Sequence, residues 1–214
     1  MPDHAVDAQN LARRYGRRWA IADVSFRIPQ GSVTMLSGRN GSGKSTLLRL
    51  LATAIRPDHG RASILGFDLV QHRADVRRAV ALLSHHNYLY EALTARENLQ
   101  VAAAHMRAAE GSIPALLDRV GLAGRADDAV STFSAGMRKR VSFARVLLQT
   151  PRVALLDEPY GQLDPSGFEL VDSVVRELKA QGVTVVMATH QIERTAVISD
   201  HSLVLESGRV ESFA

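Results

Sequence analysis

Apolar and polar positions alternate along residues 5–37, between turn signals at Gly16 and Pro29-Gln30-Gly31. A period of two puts successive side chains on opposite faces of an extended chain, so this stretch predicts short strands. Val33-Thr34-Met35-Leu36-Ser37 ends it as a β-rich run. Residues 38–43 then read as a glycine-rich turn, 45–54 as a helix, and Pro57-Asp58-His59-Gly60 as another turn. From about residue 86 to 149, and most clearly from 92, the chain is rich in Ala, Leu and Arg with few β-branched clusters. That texture predicts several helices in a lobe inserted into an α/β core. Beyond it, Val153-Ala154-Leu155-Leu156 reads as a buried strand, 167–180 as a helix and 183–187 as a strand. Residues 202–206 and 209–212 close the chain as a hairpin around Ser207-Gly208. Strands alternating with helices imply right-handed crossovers and a largely parallel sheet.

Composition narrows the chemistry. With 214 residues the chain fits one domain carrying a small inserted lobe. It contains no cysteine, which excludes disulfide scaffolds, thiol catalysis and cysteine-held metal. No apolar run approaches the roughly 18 residues that span a bilayer. The start, Met1-Pro2-Asp3-His4, lacks the basic region and apolar core of a secretory signal, so a cytosolic protein is expected. The 26 basic residues exceed the 22 acidic ones by 4, and only three of the 26, Lys44, Lys139 and Lys179, are lysines. A mild excess suits nucleic acid, anionic lipid or nucleotide phosphate. The densest patches, Arg13-Arg14 with Arg17-Arg18 and Arg138-Lys139-Arg140, are short, and read as solvated surface.

Gly38-Arg39-Asn40-Gly41-Ser42-Gly43-Lys44-Ser45 has the spacing G-x-x-x-x-G-K-S between a predicted strand and a predicted helix. Glycines let the backbone curl so that successive N–H groups point at phosphate oxygens, and the helix start adds partial positive charge. Lys44 would reach the β- and γ-phosphates, and Ser45 would place its hydroxyl on magnesium. Lysine where arginine is the default choice is itself informative. The apolar strand at 153–156 runs into Asp157-Glu158, and ligands of parallel sheets bind at the carboxyl ends of strands. Asp157 suits magnesium and Glu158 suits a base for an attacking water. His190, after the next β-run, is placed to contact the γ-phosphate or the water network.

These residues resemble, in order and over about residues 5–212, the nucleotide-binding subunit of ABC transporters. The resemblance implies a P-loop NTPase core with a mainly parallel sheet, an N-terminal antiparallel β part and an inserted helical lobe. It treats residues 1–214 as one ATPase domain with a helical subdomain at about 86–149. The family's signature, usually Leu-Ser-Gly-Gly-Gln, stands here as Phe133-Ser134-Ala135-Gly136-Met137. Ser134 and Gly136 are kept; Ala135 and Met137 depart from it. Tyr15 matches the aromatic that stacks on adenine. Gly161-Gln162-Leu163-Asp164 matches a loop usually written Ser-Ala-Leu-Asp, with Leu163 and Asp164 in agreement. His85, or His86 one position on, stands where the family usually has a glutamine that senses magnesium and water. The implied nucleotide contacts are Tyr15, Gly38, Asn40, Gly41, Ser42, Gly43, Lys44, Ser45, Thr46, Ser134, Gly136 and Asp164. Ser45, Asp157 and His85 fall to magnesium, and Glu158, His190 and His85 to catalysis. The segment Leu83-Ser84-His85, followed by Leu93-Thr94-Ala95-Arg96-Glu97-Asn98-Leu99, is similar in particular to the ATPase of the haem exporter of cytochrome c maturation.

The resemblance further implies ATP and Mg2+ as ligands, a second copy in a head-to-tail dimer, and separate transmembrane permease subunits reached through residues 85–110. That places the chain in the cytoplasm, peripheral on the inner face of the cell membrane. From the short end at Ala214, no regulatory domain is expected. The expected function is thus the ATP-hydrolysing subunit of an exporter, of haem or of another substrate, against two other readings: a soluble ABC ATPase acting on nucleic acid or ribosomes, and an ATP-binding scaffold of weak turnover. Soluble relatives usually carry two cassettes or long insertions, so nucleic acid is the less expected partner. His85 and Met137 motivate the scaffold reading.

Overall fold

The computed structural model describes residues 4–214. Met1, Pro2 and Asp3, which carry the reading of a start without a signal, lie outside the described residues. The chain runs β1 (His4–Tyr15), β2 (Arg18–Pro29), β3 (Val33–Ser37), α1 (Lys44–Leu51), β4 (His59–Ile64), β5 (Phe67–Asp68), α2 (Arg73–Ala79) and β6 (Val80–Leu83). It continues through α3 (Ala95–Met106), α4 (Ile113–Arg119) and α5 (Ala135–Leu148), with 3-10 turns between them. Then follow β7 (Val153–Asp157), α6 (Pro165–Ala180), β8 (Thr184–Ala188), α7 (Ile192–Ala196), β9 (His201–Glu206) and β10 (Arg209–Phe213).

Two sheets form. One is antiparallel, in the order β2-β1-β4-β5. The other, β10-β9-β3-β8-β7-β6, is parallel except for its β9–β10 hairpin. Where short strands are expected over residues 5–37, the chain instead begins with a pair of long ones, β1 and β2, each of 12 residues. Register shifts between Ala8 and Leu11 and between Leu11 and Arg13 break the alternation. Those bulges look like strand ends in the sequence. The turn expected at 57–60 ends earlier, because His59 already pairs with Ala12.

Central strands β3, β7 and β8 are buried on both faces, and alternate side chains feed separate cores. Ala154, Leu156, Val185 and Met187 join the core under α5 and α6. Val153, Leu155, Val186 and Ala188 join the core shared with α1 and the antiparallel sheet. Fully buried strands of a parallel sheet read as continuous apolar runs for this reason. Between β6 and β7 the chain makes α3, α4 and α5. Thr94 starts α3 with a reciprocal capping box, its hydroxyl accepting from Glu97 N–H at 3.1 Å while the Glu97 carboxylate accepts from Thr94 N–H at 2.8 Å.

Candidate functional site

The sheet brings the chemistry to one rim. In β8, Ala188 lies beside Leu36 of β3 and beside Asp157 of β7. The loops leaving these three strands therefore start at one level, and they carry Gly38, Glu158 and His190. Strand β8 sits between the other two, so His190 enters between the phosphate loop and the carboxylates.

The phosphate loop needs its glycines for space as well as for curvature. Gly38 has φ 141°, and a Cβ there would lie 2.1 Å from the Leu205 carbonyl oxygen. Gly43, which caps α1 at φ 109°, would put a Cβ 2.4 Å from the Ala20 carbonyl oxygen. The buried Ser42 hydroxyl has no hydrogen-bond partner among the described residues, the condition of a group that awaits a ligand oxygen. Lys44 folds over the loop, its ammonium donating to the carbonyls of Gly38 at 2.6 Å and Arg39 at 3.3 Å. Burial lowers its pKa, while Glu158 and Asp157 act in the opposite sense.

Ser45 Oγ donates to Asp157 Oδ1 at 3.0 Å, joining the first turn of α1 to the end of β7. Hydroxyl and carboxylate oxygens at this spacing, beside a phosphate cradle, are the hard donors a magnesium ion takes. His190 Nε2 lies 3.3 Å from Glu158 Oε1. Glu158 itself sits at φ 48°, a left-handed conformation uncommon outside glycine. Its N–H donates to the Ala188 carbonyl at 2.8 Å.

Ser42, Gly43, Lys44, Ser45, Glu158 and His190 line a cavity of about 770 Å³ with Tyr15, Asn40, Gly41, Thr46 and His85. His85, and not His86, reaches the cavity; His86 packs edge-on between His85 and Tyr88. Tyr15 stands at the β1–β2 hairpin, 46% exposed, with the Arg13 guanidinium 5.2 Å from the centre of its ring. Arg13 is in turn held by Asp58 at 3.1 Å.

Five expected residues are not in its lining: Gly38 and Asp157, which are bonded to Lys44 and Ser45 on it, and Ser134, Gly136 and Asp164. Ser134 caps α5, accepting from Met137 N–H at 3.2 Å. Gly136 packs beneath Gln162, whose carbonyl oxygen would be 2.9 Å from an added Cβ. Asp164 caps α6, accepting from Gly167 N–H at 2.9 Å, from Ser166 Oγ at 3.0 Å and from Arg140 at 3.3 Å. Within one chain Asp164 thus serves as a helix cap. Sequence reasoning also misses Arg18, Gly161, Gln162 and Lys139, all of which line the cavity. Lys139 reads in the sequence as a member of a solvated surface patch. The rarity of lysine, informative for Lys44, is the signal that could have found it.

Residues 21–161 match the sequence profile of a family described as ABC transporter. The daunorubicin resistance ATP-binding protein DrrA3 of Streptomyces coeruleorubidus is 37% identical over 214 residues, covering 98% of this chain and 68% of that protein. The Nod factor export ATP-binding protein I of a Bradyrhizobium strain is 35% identical, covering 97% of this chain and 69% of that protein. This chain thus spans about two thirds of the length of these relatives. Among solved structures, an ATP-binding subunit of an ABC transporter superposes with TM-score 0.91 at 29% identity, covering 98% of this chain and 89% of that one. A dimeric ATP-binding cassette in a post-hydrolysis state, bound to ADP and Pi, superposes with TM-score 0.89 at 26% identity, covering 98% and 97% of the two chains.

Proposed function

The chain belongs to the ABC transporter family, and on that premise we propose that it is the ATP-hydrolysing subunit of an exporter, working on membrane-spanning permease subunits supplied by other chains. One observation carries the residue assignments: Lys44, Ser45, Glu158 and His190 line a single cavity, with Asp157 bonded to Ser45 at its edge.

In this reading the N–H groups of residues 41–46 and the Lys44 ammonium bind the triphosphate, exchanging the lysine's present loop carbonyls for phosphate oxygens. Tyr15 stacks on adenine, with Arg13 steadying its other face. Ser45, Asp157 and His85 would hold Mg2+, which when bound neutralises charge on the phosphates. Glu158 orients and deprotonates the attacking water, and His190 fixes the Glu158 carboxylate. Ser134, Gly136 and Asp164 serve the nucleotide of a second copy in a head-to-tail dimer. None of the three lines the cavity of its own chain, which supports that division of labour.

We take the chain as one ATPase domain whose helices between about 86 and 149 face the permease, at the inner surface of the cell membrane. Among the described residues no helix is long and apolar enough to cross a membrane, in keeping with spans carried by partner subunits. A cleft of about 390 Å³ between the loop after β6 and α3, with Tyr88 and Tyr90 exposed at its edge, suits a protruding segment of such a partner.

The cargo we assign is an organic molecule of the kind that the relatives' names mention, a drug or a Nod factor. The narrower reading, haem for cytochrome c assembly, rests on Leu83-Ser84-His85, on Ser134-Ala135-Gly136 and on residues 93–99. Permease subunits that copurify with the chain, and the compounds whose efflux they support, separate the two cargoes.

The site is tested with two variants. Glu158→Gln is expected to keep ATP binding, nearly abolish hydrolysis and stabilise the dimer. Lys44→Ala is expected to lose most ATP affinity. Parent-like turnover in the first variant, or an unchanged dissociation constant in the second, refutes the corresponding assignment.

A further inference from the structure

Three observations converge on Lys139. The first is compositional. The chain uses arginine for 23 of its 26 basic residues, yet two of its three lysines, Lys44 and Lys139, line the same cavity. An ammonium is a compact charge that fits where the wide guanidinium fork does not. The second is burial. Lys139 is 3% exposed, whereas its neighbours are taken up elsewhere. Arg138 donates to the carbonyls of Val130 and Ser131. Arg140 donates to the Val120 carbonyl and to Ser166. The side chain between them turns inward, through the core side of α5, to the end of β7.

The third observation is what it touches. Lys139 Nζ donates to the Asp157 carbonyl oxygen at 3.4 Å. That oxygen belongs to the same peptide unit as the Glu158 N–H, which donates to the Ala188 carbonyl at 2.8 Å. The peptide joining the two carboxylate residues is thus held from both sides, by β8 and by Lys139. Glu158 needs such a clamp, because its left-handed φ is not a conformation the residue adopts unaided. Desolvation opposes a buried ammonium and pushes Lys139 down to about 8, with Asp157 and Glu158 pulling it back up. A chain selected only for stability would put an apolar side chain there.

We propose that Lys139 is a positioning residue for ATP hydrolysis: from α5 it clamps the Asp157–Glu158 peptide and so aims the Glu158 carboxylate at the attacking water. The proposal rests on the ATPase reading given above and extends it. It separates turnover from binding, because the phosphates are gripped by the loop and by Lys44 while Lys139 acts on the carboxylate end.

The test compares Lys139→Met, which keeps the length and removes both charge and donor, with the parent chain. Mg-ATP hydrolysis at saturating nucleotide is expected to fall about 10- to 100-fold, the range that follows when a reacting group is misplaced by up to an ångström. The dissociation constant for ATP is expected to stay within about threefold, a kcat effect without a binding effect. Combining Lys139→Met with Glu158→Gln should be no slower than Glu158→Gln alone, because the lysine acts through that glutamate. Lys139→Gln keeps an N–H donor without the charge and should retain more turnover than the Met variant. Parent-like turnover in the Met variant, or in Lys139→Ala if the first does not fold, overturns the proposal. So does a parallel loss of ATP affinity, which would mean that the lysine holds phosphate. Turnover surviving Glu158→Gln would instead overturn the ATPase assignment of Glu158, a different result from the failure of Lys139.

Discussion

The backbone of Glu158 offers a direct measure of what the site costs the fold. At φ 48° the residue lies in the left-handed region, immediately before Pro159, which narrows its options further. Its N–H is tied to Ala188 and its carbonyl accepts from Gly161 N–H at 3.1 Å, so the strand–turn junction fixes the conformation. Replacing Glu158 with Ala and, separately, with Gly isolates the backbone contribution. Both changes delete the carboxylate with its His190 contact, and they differ only in the methyl group. A side chain in the left-handed region costs about 1–2 kcal/mol. Glycine returns about 0.5–1 kcal/mol through its freer unfolded chain. Glu158→Gly is therefore expected to be more stable than Glu158→Ala by about 0.5–1 kcal/mol, or about 1–4 °C in thermal midpoint for a domain of this size. Paired urea and thermal melts read the difference, and an ATPase assay should find both variants nearly inactive. An alanine variant as stable as the glycine variant would refute the strain argument. It would also remove the reason for a clamp on this peptide.

Two further expectations follow from single contacts. Tyr15→Ala should weaken ATP binding by about 1–2 kcal/mol, the usual worth of one base stacked on an aromatic ring, read by calorimetry; unchanged affinity would return Tyr15 to a plain hairpin residue. Asp200 binds Lys179 Nζ at 2.6 Å and Val33 N–H at 2.9 Å. Partial burial pushes its carboxyl up, but those bonds outweigh it and the net shift is downward. A carboxyl whose folded pKa lies below its unfolded value stabilises the fold fully above about pH 4 and loses that contribution as pH falls through the folded pKa. Asp200→Asn should thus cost about 0.2–1 kcal/mol at neutral pH, the scale of a partly exposed ion pair, and make the acid limb of the stability curve shallower. An acid limb identical to the parent's would refute this.

Much of the architecture is legible in the chain because burial on both faces leaves a plain trace. The apolar runs at 153–156 and 183–187 can only be central strands once helices flank them, and the structure carries them on by a single residue, to Asp157 and Ala188. Segments with mixed signals are less readable. Strand β6 is four apolar residues directly behind α2, with no turn between them, and so carries no boundary in the sequence. The bulges of β1 hide its length because each one resets the alternation. In the site, the phosphate loop and the carboxylates are local motifs and are legible. Lys139 and Arg18 come to the cavity only through the packing of α5 and the β1–β2 hairpin, which no spacing rule encodes. Asp164 fits two readings at once. Its motif position is kept, but an Asp before Pro165 also makes a good helix cap, and within one chain the cap is what forms.

Helix α5 ties these observations together. Ser134 and Gly136 of its first turn do not line the cavity of their own chain, while Lys139, little more than one turn further on, does. A helix is stiff over such a distance, so a shift at one end is transmitted to the other rather than absorbed. If the first turn grips the nucleotide of a second copy, as proposed, its seating sets the position of Lys139 and through it the Asp157–Glu158 peptide. Each hydrolytic centre would then respond to the seating of the partner's nucleotide. A chain whose Glu158 backbone is strained has a physical reason to work this way. The strained conformation is held within the chain by β8 and Lys139, so any movement of α5 bears directly on the Glu158 carboxylate.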